Sequence, residues 1–141
     1  MIFLLFSCGE IPCTKIGCTD VTTVEILPWD FVFGDARYQI QIVGDDQSLH
    51  DCTIVISGQA PGCDEGGDCV LESTCNASYT AGAWTFISES APEVVSIDVF
   101  KDDVNYLSIQ TEPVYDSISP NGPDCEPTCL VAETISHHLI H

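Results

Sequence analysis

The 141-residue chain carries 22 Asp and Glu against three Lys and Arg, a formal net charge of −19. Lys15, Arg37 and Lys101 cannot neutralise a phosphate backbone or grip an anionic lipid surface, so nucleic-acid binding and polybasic membrane docking are excluded. At 45% apolar residues the chain has material for one folded core, and its acidity reads as a solvated outer surface.

The opening "MIFLLFSC" is far short of the about 20 apolar residues a membrane-spanning helix needs. It is also too short for a whole signal peptide, and no Lys or Arg precedes Cys8. "LFSC" instead has the form of a lipobox. Leu5 stands third before the cysteine, small Ser7 stands just before it, and the Cys8 thiol is free to take a diacylglycerol. Residues 1–7 are therefore expected to be the residual end of a lipoprotein signal whose basic part is missing from a truncated gene start. Cys8 becomes the lipidated first residue of the mature protein, and residues 8–20 become the lipid-anchor tether. Gly9 in place of Asp after the cysteine points to the outer membrane. The plainer alternative makes Met1–Phe6 a first apolar strand and Cys8 an ordinary bridge partner.

From residue 21 onward the dominant period is two, the mark of half-buried strands. "TTVEILP" sets Val24 and Ile26 on one face. "ARYQIQIVG" points Tyr38, Ile40 and Ile42 inward and Gln39 and Gln41 outward. "HDCTIVISG" groups Cys52, Ile54 and Ile56. "VLESTCNAS" is a weaker run with Leu71 and Cys75 inside. "GAWTFISES" opposes Trp84 and Phe86 to Thr85 and Ile87. "EVVSIDVFKDD" opposes Val95, Ile97 and Val99 to Ser96 and Asp98, and "NYLSIQTEP" aligns Leu107, Ile109 and Thr111. "LVAETI" is the last run. Turn residues separate them at "GDDQ", "GQAPG", "SAP" and "KDDVN". Short strands at this spacing, with no stretch of helical period, predict an all-β fold. The expected form is an antiparallel Greek-key, immunoglobulin-like sandwich of seven or eight strands over residues 21–136, with 137–141 as a polar tail. The Cys…Trp…Cys spacing of true immunoglobulin domains is not evident.

Nine cysteines are many for a reducing compartment and fit a secreted or envelope protein. With Cys8 lipidated, the remaining Cys13, Cys18, Cys52, Cys63, Cys69, Cys75, Cys125 and Cys129 are all expected to pair. Cys13 and Cys18 are expected to reach Cys125 and Cys129. Cys52 is expected to join Cys75 or Cys63, leaving Cys69 for the other. "PVYDSISPNGPDCEPTC" forms a rigid irregular loop, with Pro113, Pro120, Pro123 and Pro127 and the Asn121–Gly122 turn. Together with the early "GCTD" and the Cys-rich middle loop, its "PNGPDCEPTC" resembles small lipoproteins of myxobacteria and related deltaproteobacteria. The resemblance implies an envelope location and a β fold, and no mechanism. The tail "SHHLIH" departs from that pattern.

The candidate chemistry is sparse. In "CDEGGDC", Asp64, Glu65 and Asp68 gather three carboxylates around a flexible Gly66–Gly67, a donor set suited to Ca²⁺. The spacing differs from that of an EF-hand loop, and a stapled polar turn explains it equally. Cys125 and Cys129 with His137, His138 and His141 have loosely zinc-like spacing, but zinc needs reduced thiolates and an oxidising compartment favours disulfides. No G-x-S-x-G elbow is present. His50–Asp51 at a strand start reads as a turn cap, and Asn76-Ala77-Ser78 reads as an accidental sequon. No catalytic residue is assigned. The expected role is a non-enzymatic, lipid-anchored cell-envelope domain that binds another envelope protein or polymer or serves structurally. A Ca²⁺-dependent envelope module, or a small hydrolase using the acidic loops, is the alternative. An envelope subunit that assembles into larger structures is a third possibility.

Overall fold

The computed structural model describes residues 13, 16–27, 35–47, 49–57, 70–80 and 83–139. Among these the chain forms strands only: β1 Thr22–Leu27, β2 Ala36–Gly44, β3 Leu49–Ile56, β4 Val70–Ser73, β5 Ser78–Thr80, β6 Ala83–Ser88, β7 Val95–Lys101, β8 Val104–Thr111, β9 Tyr115–Ile118, β10 Cys129–Ala132 and β11 Ile135–His138. They make a four-stranded sheet ordered β11-β1-β6-β5, a five-stranded sheet ordered β4-β3-β2-β7-β8, and a ribbon of β9 and β10.

Alternation builds both large sheets. Val24, Ile26, Trp84 and Phe86 of one sheet meet Tyr38, Ile40, Ile42, Ile54, Ile56, Val95, Ile97 and Val99 of the other in a single buried cluster. Burying such apolar faces against each other is the main stabilising term, worth about 1.5–3 kcal/mol for each large aliphatic or aromatic side chain. The result is a two-sheet β-sandwich. In the five-stranded sheet, β2, β3 and β4 pair in sequence and β7 lies beside β2, an order consistent with a Greek key. The chain crosses between the two large sheets from β1 to β2, from β4 to β5 and from β6 to β7, while β1 pairs with β6 and β2 pairs with β7. The first and last of these crossings interlock the sheets.

Turns follow the residues that can make them. Asp102 and Asp103 both have positive φ, 49° and 66°, in the two-residue connection of β7 to β8, where Asp tolerates the left-handed region. After β2, the Asp45 side chain accepts hydrogen bonds from the backbone N–H of Glu93 and Val94, at 2.9 and 3.2 Å, tying that turn to the start of β7.

Three expectations change. The described residues hold eleven strands rather than seven or eight, because the short strands β5 and β9 add to the runs of the sequence and "LVAETI" is split at Glu133–Thr134 into β10 of the ribbon and β11 of the four-stranded sheet. Residues 137–139 are not a polar tail. β11 pairs in parallel with β1, His137 opposite Ile26 and His138 opposite Leu27. The Leu139 N–H then donates to the Leu27 carbonyl at 2.8 Å, and its side chain joins the core at 4% exposure. The period-two face Ile135–His137–Leu139 runs through what reads as a polar terminus, because a histidine occupies an inward position. The domain also begins before residue 21, since Cys13 and Cys18 are cross-linked to its body.

Candidate functional site

The lead-in segment and the late Pro-rich loop are joined by two disulfides, Cys13–Cys125 and Cys18–Cys129, spanning 112 and 111 residues. Asn121 sits between them. Its Oδ1 accepts from the Ile16 N–H at 3.0 Å, and its Nδ2 donates to the carbonyls of Ile16 and Glu126, each at 2.9 Å. Gly122 follows at φ +105°, a conformation that side chains resist, so the Asn–Gly pair lets the loop double back. The Asp20 carboxylate accepts the Leu130 N–H at 2.8 Å, and backbone bonds link Val21 to Leu130 and Ala132. Asn121→Ala is expected to lower unfolding free energy by about 2 kcal/mol, since it removes three hydrogen bonds in one step. Urea denaturation measures it, and an unchanged midpoint would mean that the disulfides alone set the loop.

Thr22 and Tyr115 stitch β9 to the body. The Tyr115 hydroxyl donates to the Pro92 carbonyl at 2.7 Å, the Thr22 hydroxyl donates to the Ser90 carbonyl at 2.8 Å, and the two oxygens lie 3.0 Å apart. Two hydroxyl hydrogens serve three short contacts. Burial raises the Tyr115 hydroxyl above its usual range, with the carboxylates of Asp46, Asp45 and Asp20 acting in the same direction and the Thr22 hydrogen bond against it. The phenol therefore stays protonated and acts as a structural donor.

The third bridge, Cys52–Cys75, extends a ladder. β3 and β4 pair with Ile54 opposite Ser73, and two further residues in that register set Cys52 opposite Cys75 at a Cα separation of 4.8 Å. Cys75 itself lies past the end of β4. Cys8, Cys63, Cys69, the calcium candidates Asp64, Glu65 and Asp68, and His141 lie outside the described residues. Cys125 and Cys129 are committed to sulfur, and His137 and His138 take opposite faces of β11, so the zinc-like grouping does not form there. Among the described residues no group of three or more His, Cys, Asp and Glu is placed to hold a metal ion.

His50–Asp51 is not a turn cap, because both residues lie within β3 and face opposite ways. Asp51 is on the outer face, within 3.4 Å of the Gln39 and Gln41 amide nitrogens. His50 points between the sheets, its Nε2 2.8 Å from Ser88 Oγ on β6 and its ring edge-on to Phe86 with centroids 5.7 Å apart. Among the described residues no carboxylate meets its other nitrogen, so the pair is a link between sheets rather than a triad. Burial lowers the His50 pKa, and that of His137 likewise. A histidine whose folded pKa is depressed binds fewer protons folded than unfolded. Stability is therefore full above the ordinary histidine pKa and falls as pH drops through that value toward the folded one. Melting temperature is expected to decline between pH 7 and pH 5, with a shallower slope in His50→Gln; equal slopes would remove His50 from the account.

The outer face of the five-stranded sheet is polar. Asp51, Gln41, Asp98 and Ser108 form one row across β3, β2, β7 and β8, and Ser108 donates to Asp98. At the margin of this sheet, β8 is unlike the other edges. It has eight residues, VNYLSIQT, with no charged side chain, whereas β4, β5 and β11 have four, three and four. Among the described residues no strand pairs with its outer side. An uncharged run inside a chain of 22 carboxylates is a sequence signal for this edge, one that strand periodicity alone does not raise.

Fold and cross-links together define a disulfide-stapled all-β sandwich with a clamped lead-in segment and a long edge, β8, that no strand covers among the described residues, and its disulfides are compatible with an extracytoplasmic location. No family model, curated protein or solved structure matches the chain.

Proposed function

We propose that this protein is a non-enzymatic, lipid-anchored domain of the cell envelope, held at the outer membrane through Cys8, with a binding or structural role toward another envelope protein or polymer. The observation that carries the reading is the pair of cross-links spanning 112 and 111 residues. They fasten the segment that follows the lipobox directly to the folded body. A domain so fastened is joined to Cys8 by only a few residues before its first cross-link and keeps its staples in an oxidising compartment outside the cytosol. The lipobox pattern and the resemblance to myxobacterial lipoproteins support the same location.

Intact-mass measurement of the native protein from a diderm host tests the reading. The expected species begins at Cys8, carries the mass of lipid acyl groups, and gains eight hydrogens on full reduction. A species that retains Met1 and has nine titratable thiols after unfolding would overturn it.

A further inference from the structure

We propose that the open edge of β8 accepts an added strand from another protein, an extended uncharged segment flanked by Lys or Arg, with one cationic side chain seated against Glu112. This deepens the binding role proposed above and rests on it. Natural sheets guard exposed edges with short strands, charges, proline or a covering element, because unpaired N–H and C=O groups template further pairing. β8 has eight residues, no charge and no proline. Its bulge is confined to the turn end, between Val99 and Phe100, so Leu107–Thr111 runs in unbroken register with Val95–Val99. Leu107 and Ile109 pack against the core and hold this stretch in place. A preformed, straight edge of this kind is what strand addition requires.

Charge selects the partner. Asp102 and Asp103 are exposed at the turn end of β8, and Glu112 follows directly on the other end. At the turn the acidity is partly answered, since Arg37 lies 3.3 Å from Asp103. At the other end Val94, Gln110, Thr111 and Glu112 line an open depression of about 410 Å³, with exposed Glu93 next to Val94 in sequence. That depression is large enough for a lysine or arginine head group. A second copy of this chain fits poorly. Antiparallel self-pairing would set Asp102 and Asp103 against Glu112, parallel self-pairing would set each acid against itself, and both would bring together bodies of charge −19.

The test uses the full chain with its disulfides intact and two end-blocked peptides, KKTVTVTKK and EETVTVTEE. Amide hydrogen exchange and peptide fluorescence anisotropy are the readouts. The lysine peptide is expected to slow exchange within Val104–Thr111 and to bind more weakly as salt rises, while the glutamate peptide does neither. Glu112→Gln is expected to weaken the lysine peptide about fivefold, the worth of one exposed ion pair. Gln110→Lys, which adds an edge-guarding charge at an exposed position, is expected to abolish binding. Protection at another strand, equal binding of both peptides, or no protection at millimolar peptide would overturn the inference, as would a β8-paired homodimer by sedimentation. Acylation at Cys8 is read independently, so these outcomes leave the envelope reading standing or falling on its own measurement.

Discussion

Replacing Cys125 and Cys129 together by serine is expected to lower the unfolding free energy by about 7–8 kcal/mol, and replacing either alone by only about 3 kcal/mol. The asymmetry comes from how the bridges interleave. Either one alone closes a loop of 112 or 111 residues in the unfolded chain, worth about 5 kcal/mol in lost chain entropy. Once one is in place, the other closes only a ring of about ten residues, because Cys13 lies close to Cys18 in sequence and Cys125 close to Cys129; that ring is worth about 3 kcal/mol. Against a typical total of about 5–15 kcal/mol, the double loss leaves a marginal fold. Melting temperature is expected to drop by about 20 °C or more in the double variant, and by less than half of that in each single one. Calorimetry of the four species closes the cycle. A double variant that melts with the parent, or single losses that add, would show that the staples do not act through the unfolded chain.

Phe86→Ala is expected to cost about 3–5 kcal/mol, while Ile87→Ala, one residue further on, stays within about 0.5 kcal/mol. Phe86 is 1% exposed and belongs to the core cluster between the sheets, whereas Ile87 is 56% exposed on the outer face of the same strand. Truncating Phe86 removes the ring from a close-packed interior and leaves a cavity beneath His50, whose ring lies edge-on to it. Denaturant titration of both variants reads the difference. Similar midpoints would mean that β6 is not seated between the sheets as described. The Phe86 variant is also expected to lose part of the pH dependence assigned to His50, since the wall that keeps the imidazole from water is gone.

The inward residues of the strands are legible in the chain itself. Tyr38, Ile40 and Ile42, then Cys52, Ile54 and Ile56, then Val95, Ile97 and Val99 alternate with less buried neighbours, most of them polar, and all nine are buried. Side chains on a pleated strand alternate by local geometry, so a local pattern suffices to find them. The same holds for the turn at Asp102–Asp103, where two residues able to adopt positive φ stand between two apolar runs. Where a polar residue takes an inward place, the pattern fails, and His137 hid the last strand for that reason.

Partnership is another matter, because it depends on contacts between residues far apart in the chain. Spacing leaves open whether Cys52 joins Cys75 or Cys63, and the register of β4 on β3 brings Cys75. Spacing likewise leaves the order of the two end-joining bridges open. The structure pairs Cys13 with Cys125 and Cys18 with Cys129, with Asn121 bonded to Ile16 between them. That β8 ends its sheet among the described residues follows from the strand order β4-β3-β2-β7-β8, in which nothing pairs beyond it. An edge is a property of the assembled sheet, since the same alternating run in a central position would have both its sides paired.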